Sequence, residues 1–167
     1  SFEGVEFAES NRYFTITGPG NTTATKTGSG GGYDYNSLAS GSVKADKVYF
    51  EVVPEGGRMD LFYVGAVRPG LNHNTHHDEG DNAWFMSMSD GSLYGNGEEG
   101  SNKKGGLKVG DRIGVAVQDG TVVFFVNGKE YNRHPKRVTG EVVLGVQMGL
   151  IGQKCRLITN PKLPEGL

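Results

Sequence analysis

The sequence predicts an all-β protein, a sandwich or barrel of short antiparallel strands. Three observations carry this expectation. Glycine is abundant, 28 of 167 residues, while only 35% of the chain is hydrophobic, a balance that favours many turns over long helices. Apolar residues alternate with polar ones along several short runs, and no run shows a convincing helical stripe. Turn dipeptides punctuate those runs at close spacing, among them Asp90-Gly91, Asp119-Gly120 and Asn127-Gly128.

The chain opens with spaced Phe2, Val5 and Phe7, and residues 13–17 then alternate as a strand. Gly18-Pro19-Gly20 breaks it, and the threonine-rich residues 21–27 suit a second strand. Residues 28–32 are a glycine loop beside Tyr33 and Tyr35. Residues 47–53 read as a strand with Val48, Phe50 and Val52 on one face and Tyr49, Glu51 and Val53 on the other. A turn at 54–57 leads to a strand over 59–67. Residues 68–82, RPGLNHNTHHDEGDN, form a long polar loop, a type that is often functional. Residues 83–96 give two short strands about Asp90-Gly91, and 98–108 read as a polar surface connection.

Residues 107–131, LKVGDRIGVAVQDGTVVFFVNGKEY, are the central element. A type I′ turn needs φ > 0 at both central positions, which Asp119-Gly120 supplies. Closing the hairpin there pairs Val117 with Val122, Val115 with Phe124, and Ile113 with Val126, an entirely apolar face. The opposite face pairs Ala116 with Val123 and Gly114 with Phe125, and Phe125 is expected to cover the bare backbone at Gly114. Val123 and Phe125 need a cover, for which the terminal segments with Phe2, Phe7 or Leu163 are the candidates. Residues 142–148 and 153–159 are the last strands, joined by a turn at 149–152, and a proline-containing tail closes the chain. The count is about ten strands.

The ordered set Gly110, Asp111, Ile113, Gly114, Val115, then Gly120, Thr121, Val122, Phe124, Val126, Asn127, Gly128 and Lys129 resembles the signature hairpin of SPRY domains. Val48 to Val52 (VYFEV), Val64-Gly65-Ala66, Trp84, Asp90-Gly91 and Leu93-Tyr94 fall in the order that family expects. The resemblance implies two curved antiparallel sheets packed face to face, a SPRY-like, jelly-roll-type β-sandwich. It implies a single domain over 1–167, with 1–40 as an N-terminal extension carrying the first strands and 41–160 as the core. It further implies a non-enzymatic module that binds a partner protein or short peptide through rim loops. Carried onto this chain, those loops are 68–82 and 149–152. Leu71, Leu150 and Ile151 are then a small apolar floor, edged by Arg68, Asn72, His73 and Asn74, with Tyr33 and Tyr35 as a further wall. The alternative for the three apolar residues is that they tuck back into the sandwich as anchors.

Composition narrows the remaining classes. A net charge of −2 gives no global field toward nucleic acid or an anionic membrane, so neither is expected as a partner. The basic run 133–137 has only Tyr131 as an aromatic neighbour and reads as a solvated loop. The single Cys155 excludes an internal disulfide and suits a reducing, cytoplasmic or other intracellular compartment. No apolar run approaches a membrane span. The chain begins with Ser, which reads as a piece of a longer protein, expected to act as a monomer. Acidic residues gather in loops rather than as a pair on a strand face, and no nucleophile elbow or phosphate loop is present, so no catalytic residue and no cofactor is expected. His73, His76, His77 and Asp78 have metal-ligand chemistry, but no group is identifiable that would hold them in place, so no metal site is expected. A lectin-like, glycan-binding sandwich is the competing class, with Trp84 as the one tryptophan available for an aromatic platform.

Overall fold

The computed structural model describes residues 7, 12–28, 36–39, 48–72 and 74–167, with only the backbone described at 36–39 and 48. Among the described residues thirteen strands form two antiparallel sheets. In chain order they are β1 (Phe14–Thr17), β2 (Thr23–Lys26), β3 (Asn36–Ala39), β4 (Val48–Gly56), β5 (Phe62–Val67), β6 (Ala83–Ser87), β7 (Leu93–Gly95), β8 (Glu98–Ser101), β9 (Ile113–Gln118), β10 (Thr121–Val126), β11 (Lys129–Arg133), β12 (Val143–Met148) and β13 (Lys154–Leu157). One sheet has seven strands in the order β1-β2-β13-β4-β9-β10-β11, the other six in the order β3-β12-β5-β6-β7-β8.

The central hairpin has the expected register: Val117 opposes Val122, Val115 opposes Phe124, and Ile113 opposes Val126. Asp119 and Gly120 both have φ > 0, as a type I′ turn demands, and so do Asn127 and Gly128 at the next turn. Alternation along β9 and β10 sends Ile113, Val115, Val122 and Phe124 inward. There they meet Phe62, Val64, Trp84, Met86, Leu144 and Val146 from the facing sheet, the main core. Each such side chain removed from water contributes about 1.5–3 kcal/mol.

The other face of the hairpin carries a second, smaller cluster of Tyr49, Ala116, Val123 and Phe125, with Leu167 packed against it. Among the described residues the cover comes from Leu167, while Phe2 lies outside them. Leu163 is exposed, and Phe7 belongs to the main core. A third cluster lies on the outer face of the six-stranded sheet, where Tyr63, Val67, Leu71, Ala83, Phe85 and Val143 meet. Where β11 nears the six-stranded sheet, buried Asn132 donates to Gly91 O and Asn102 O, and Tyr131 donates to Gly105 O. These bonds tie the two sheets together along that side.

Three strands exceed the sequence expectation. β8, within the connection 98–108, is an acidic edge strand with no buried face to give it an alternating pattern. β3 lies in the segment after the glycine loop and pairs with β12. β11 follows the Asn127-Gly128 turn as the other edge, KEYNR, whose charges blunt an open ladder. β4 also runs through the turn expected at 54–57. Pro54 is tolerated because the pairing of β4 with β13 is irregular beside it, between Lys154 and Cys155.

Candidate functional site

The loop 68–82 leaves β5 at Val67 and closes on itself at its base, where Arg68 N donates to Asn82 O at 2.8 Å. Arg68 then serves the rim. Its guanidinium lies 5.0 Å from the centroid of the Trp84 ring and donates to both the carbonyl and the hydroxyl of Thr139. Leu71 turns down into the outer-face cluster and is only 8% exposed. Asn72 Oδ1 accepts Asn74 N at 3.0 Å, an Asx-type turn that leaves both asparagines exposed.

Beyond Asn74 the loop folds back over the sheet. Asn72 O lies 3.0 Å from His77 Nε2. Buried Gln147 on β12 takes the His77 amide on its Oε1 at 2.6 Å and donates from Nε2 to Asp78 Oδ1 at 3.0 Å. The alternation of β12 explains this: Val146 and Met148 face the core, so Gln147 faces outward beneath the loop. Sequence reasoning missed Gln147, whose only sign was a polar residue at the outward position of an otherwise apolar strand.

The turn 149–152 is braced from below. Buried Gln153 accepts Leu150 N on Oε1 at 3.0 Å and donates from Nε2 to Arg58 O at 2.9 Å and Asp60 O at 2.6 Å. Buried Lys26 donates from Nζ to Met148 O at 2.9 Å, and Gly152 N donates to Lys26 O. On this rigid turn Leu150 is half-buried and Ile151 is 66% exposed.

The structure thus separates the apolar floor expected from the sequence. Leu71 is an anchor of the loop, in a cluster that contains neither Leu150 nor Ile151. The reason is the apolar outer face formed by Tyr63, Phe85 and Val143, which would meet water if a residue of the long loop did not cover it. The polar part of the loop is connected to the turn instead, through Asn72 to His77 to Gln147, three residues before Leu150. Tyr33, Tyr35 and His73 lie outside the described residues.

A groove of about 440 Å³ was not foreseen. Val53, Pro54, Val109 and Ile158 line its apolar part, and Arg112 and Arg156 its polar part. Val109 is 49% exposed. Both arginines have acidic partners: Arg112 lies 3.6 Å from buried Glu51, and Arg156 donates to Glu55 at 3.1 Å. Glu51 also accepts the Tyr49 hydroxyl at 2.9 Å. Burial, then that hydrogen bond, push the Tyr49 phenol up, so it stays protonated.

Two side chains of reactive type, Cys155 and His134, sit in environments that favour their neutral forms. Cys155 is fully buried, and burial pushes its thiol up, away from the nucleophilic thiolate. His134 is buried with Nδ1 accepting Lys136 N at 3.1 Å and Nε2 3.0 Å from Tyr94 O, which fixes a neutral tautomer. Among the described residues no helix is long and apolar enough to cross a membrane.

Two antiparallel sheets packed face to face, with a central hairpin closed by a type I′-like turn and a second such turn after β10, define a β-sandwich. The sequence profile of the SPRY domain matches residues 47–161, and the chain belongs to the SPRY domain family. Members of this family are in general protein–protein interaction modules. Among solved structures the chain is similar to the SPRY domain of human HERC1, with a TM-score of 0.75 and 20% identity over 90% of this chain and 95% of that one. It is also similar to the TRIM65 PSpry domain, with a TM-score of 0.69 and 16% identity over 93% of this chain and 92% of that one. A further human SPRY domain aligns with a TM-score of 0.67 and 20% identity, covering 94% of this chain and 99% of that one. At these identities the likeness is one of fold. No curated protein matches the chain.

Proposed function

We propose that the domain is a non-catalytic recognition module that binds a partner protein, through a short extended peptide, at the rim formed by the turn 149–152 and the polar part of the loop 68–82. The observation that carries this reading is Ile151. A large apolar side chain gains nothing from water, and here it is held out on a turn fixed by two buried side chains, Gln153 and Lys26. A rigid apolar residue of this kind loses little entropy on binding, which is what an interface anchor requires. Asn72 and Asn74 supply hydrogen-bonding groups for a peptide backbone, whereas Arg68 lies at the far end of β5 with its guanidinium engaged by Trp84 and Thr139.

The glycan-binding alternative has less support, because Trp84 is buried in the main core and offers no platform. The test is selection of binders from a random peptide library displayed against the domain, followed by affinity measurements on Ile151→Asp and Asn74→Ala. Both positions are exposed, so both variants are expected to fold. Ile151→Asp is expected to weaken binding by at least about tenfold, the scale of an anchor residue. Selected peptides that bind both variants as tightly as the parent chain would place the recognition site elsewhere.

A further inference from the structure

We propose that His76, Asp78 and Glu79 form a binding site for one divalent transition-metal ion of the zinc class. Their donor atoms all lie within 4.8 Å of one another. His76 Nδ1 and Asp78 Oδ1 are 3.0 Å apart. Bonds of about 2.1 Å place neighbouring ligand atoms about 3.0–3.4 Å apart in octahedral or tetrahedral geometry, so this pair already spans one edge of a coordination shell. Glu79 is exposed, and rotation of its side chain closes the remaining distance.

The sequence argument against a metal was that a loop cannot hold its ligands without outside help. Gln147 gives that help. It comes from a different element, the strand β12, and is fully buried. Its amide grips the backbone of His77 and the carboxylate of Asp78, so it fixes the segment between the three donors from beneath. Outer-sphere partners of this type orient ligating carboxylates in metal sites. Asp78 is only 7% exposed, and its Oδ1 meets both Gln147 Nε2 and His76 Nδ1, a hydrogen-bonded pair that the ion would bridge. A cation in front of the carboxylate completes that arrangement.

The donor set selects the ion. One imidazole nitrogen with two carboxylates favours zinc, cobalt or nickel over calcium or magnesium, which prefer all-oxygen shells. Water fills the remaining positions. The site lies in the same loop 68–82 that forms part of the proposed peptide rim, but metal binding is read directly by its own titration, so failure of one proposal is distinguishable from failure of the other.

The experiment is a calorimetric titration of Zn²⁺ into the whole chain after treatment with a chelator, with Mg²⁺ and Ca²⁺ as competitors. One equivalent is expected to bind. His76→Ala and Glu79→Gln are each expected to weaken it by at least about tenfold, and Gln147→Met by about 10- to 100-fold with all three ligands still in place. Glu79→Gln alters an exposed position and keeps the test decisive if the Gln147 variant does not fold. No heat from the first equivalent of Zn²⁺ would overturn the site. So would unchanged binding in both His76→Ala and Glu79→Gln, since the ion would then sit elsewhere, or displacement of Zn²⁺ by equimolar Mg²⁺ or Ca²⁺, the behaviour of a generic acidic patch.

Discussion

The ring of Tyr49 occupies the space that a side chain on Gly114 would need. A Cβ built there would stand 2.7 Å from Tyr49 Cε2 and 2.8 Å from its Cζ. Tyr49 on β4 therefore covers the bare backbone of Gly114 on β9, with Phe125 set edge-on behind it, ring centroids 6.0 Å apart at 80°. From the sequence, Phe125 was expected in that role. The cross-strand partner of Gly114 is indeed Phe125, but β9 has a second neighbour in β4, and the ring of Tyr49 reaches across from there.

Gly114→Ala tests this contact. The methyl group must displace Tyr49, whose hydroxyl holds buried Glu51. Overpacking of this kind costs about 1–3 kcal/mol. The expected result in urea denaturation is a fall in stability of that size with an unchanged slope. A neutral effect would mean that the ring is free to move aside.

The two adjacent phenylalanines of β10 give a second comparison. Phe124 is fully buried between the sheets, and Phe125 is 6% exposed beneath Tyr49 and Leu167. Phe124→Ala is expected to cost about 3–5 kcal/mol. Phe125→Ala is expected to cost less, because its cavity lies under a thin cover that can collapse or admit water. Denaturation midpoints of the two variants check the order.

The hairpin was legible because a two-residue turn fixes register and period two does the rest. Every pair from Ile113–Val126 to Val117–Val122 followed from Asp119-Gly120 alone. The edge strands β3 and β8 were not: β8 has no buried face to leave an alternating pattern, and β3 is a four-residue strand just after a glycine loop. For the site, the two loops were identifiable, but the direction of Leu71 was not. That direction depends on the outer face of a sheet whose apolar residues, Tyr63, Phe85 and Val143, come from three strands far apart in the chain. Gln147 and Gln153, which hold the two loops, looked like ordinary strand polar residues.

Stability is expected to decline in mild acid because of His134. Burial lowers its pKa below the usual imidazole range. As pH falls through about 6.5, the unfolded chain takes up a proton that the folded chain resists. The contribution is therefore fully present above that value and is lost as pH falls toward the lower, folded-state pKa. The slope from this one group is at most about 1.4 kcal/mol per pH unit, the limit for a single proton. Urea midpoints between pH 7.5 and 5 should fall more steeply in the parent chain than in His134→Gln, and parallel slopes would refute the assignment.

Leu71 and Ile151 are expected to behave oppositely despite their similar side chains. Leu71→Asp places a charge among Tyr63, Val67 and Phe85 and should cost several kcal/mol, enough to lower the melting temperature sharply. Ile151→Asp, at an exposed turn, should change stability by no more than about 0.5 kcal/mol. Thermal denaturation of the two variants distinguishes an anchor from a presented residue. Comparable losses in both would show that the Ile151 turn is packed in solution.

Gln153→Glu probes the brace under that turn with almost no change in shape. The side chain can still accept Leu150 N, but the Nε2 donor that serves Arg58 O and Asp60 O becomes an oxygen facing two carbonyl oxygens. A buried carboxylate in that position resists ionisation, so its folded-state pKa rises above the ordinary value of about 4.3. A raised folded-state pKa makes the neutral acid, which can donate to one carbonyl, the stable form in the fold. The penalty is therefore small near pH 4 and grows as pH rises through the folded-state pKa. Relative to the parent chain at each pH, Gln153→Glu should be nearly as stable at low pH and about 3 kcal/mol or more less stable at neutral pH, the scale for an uncompensated buried charge. The turn that presents Ile151 should loosen over the same range, so affinity for a selected peptide should fall as pH rises while Ile151 itself is unchanged. A stability difference that does not depend on pH would show that Gln153 is reached by solvent and does not brace the turn.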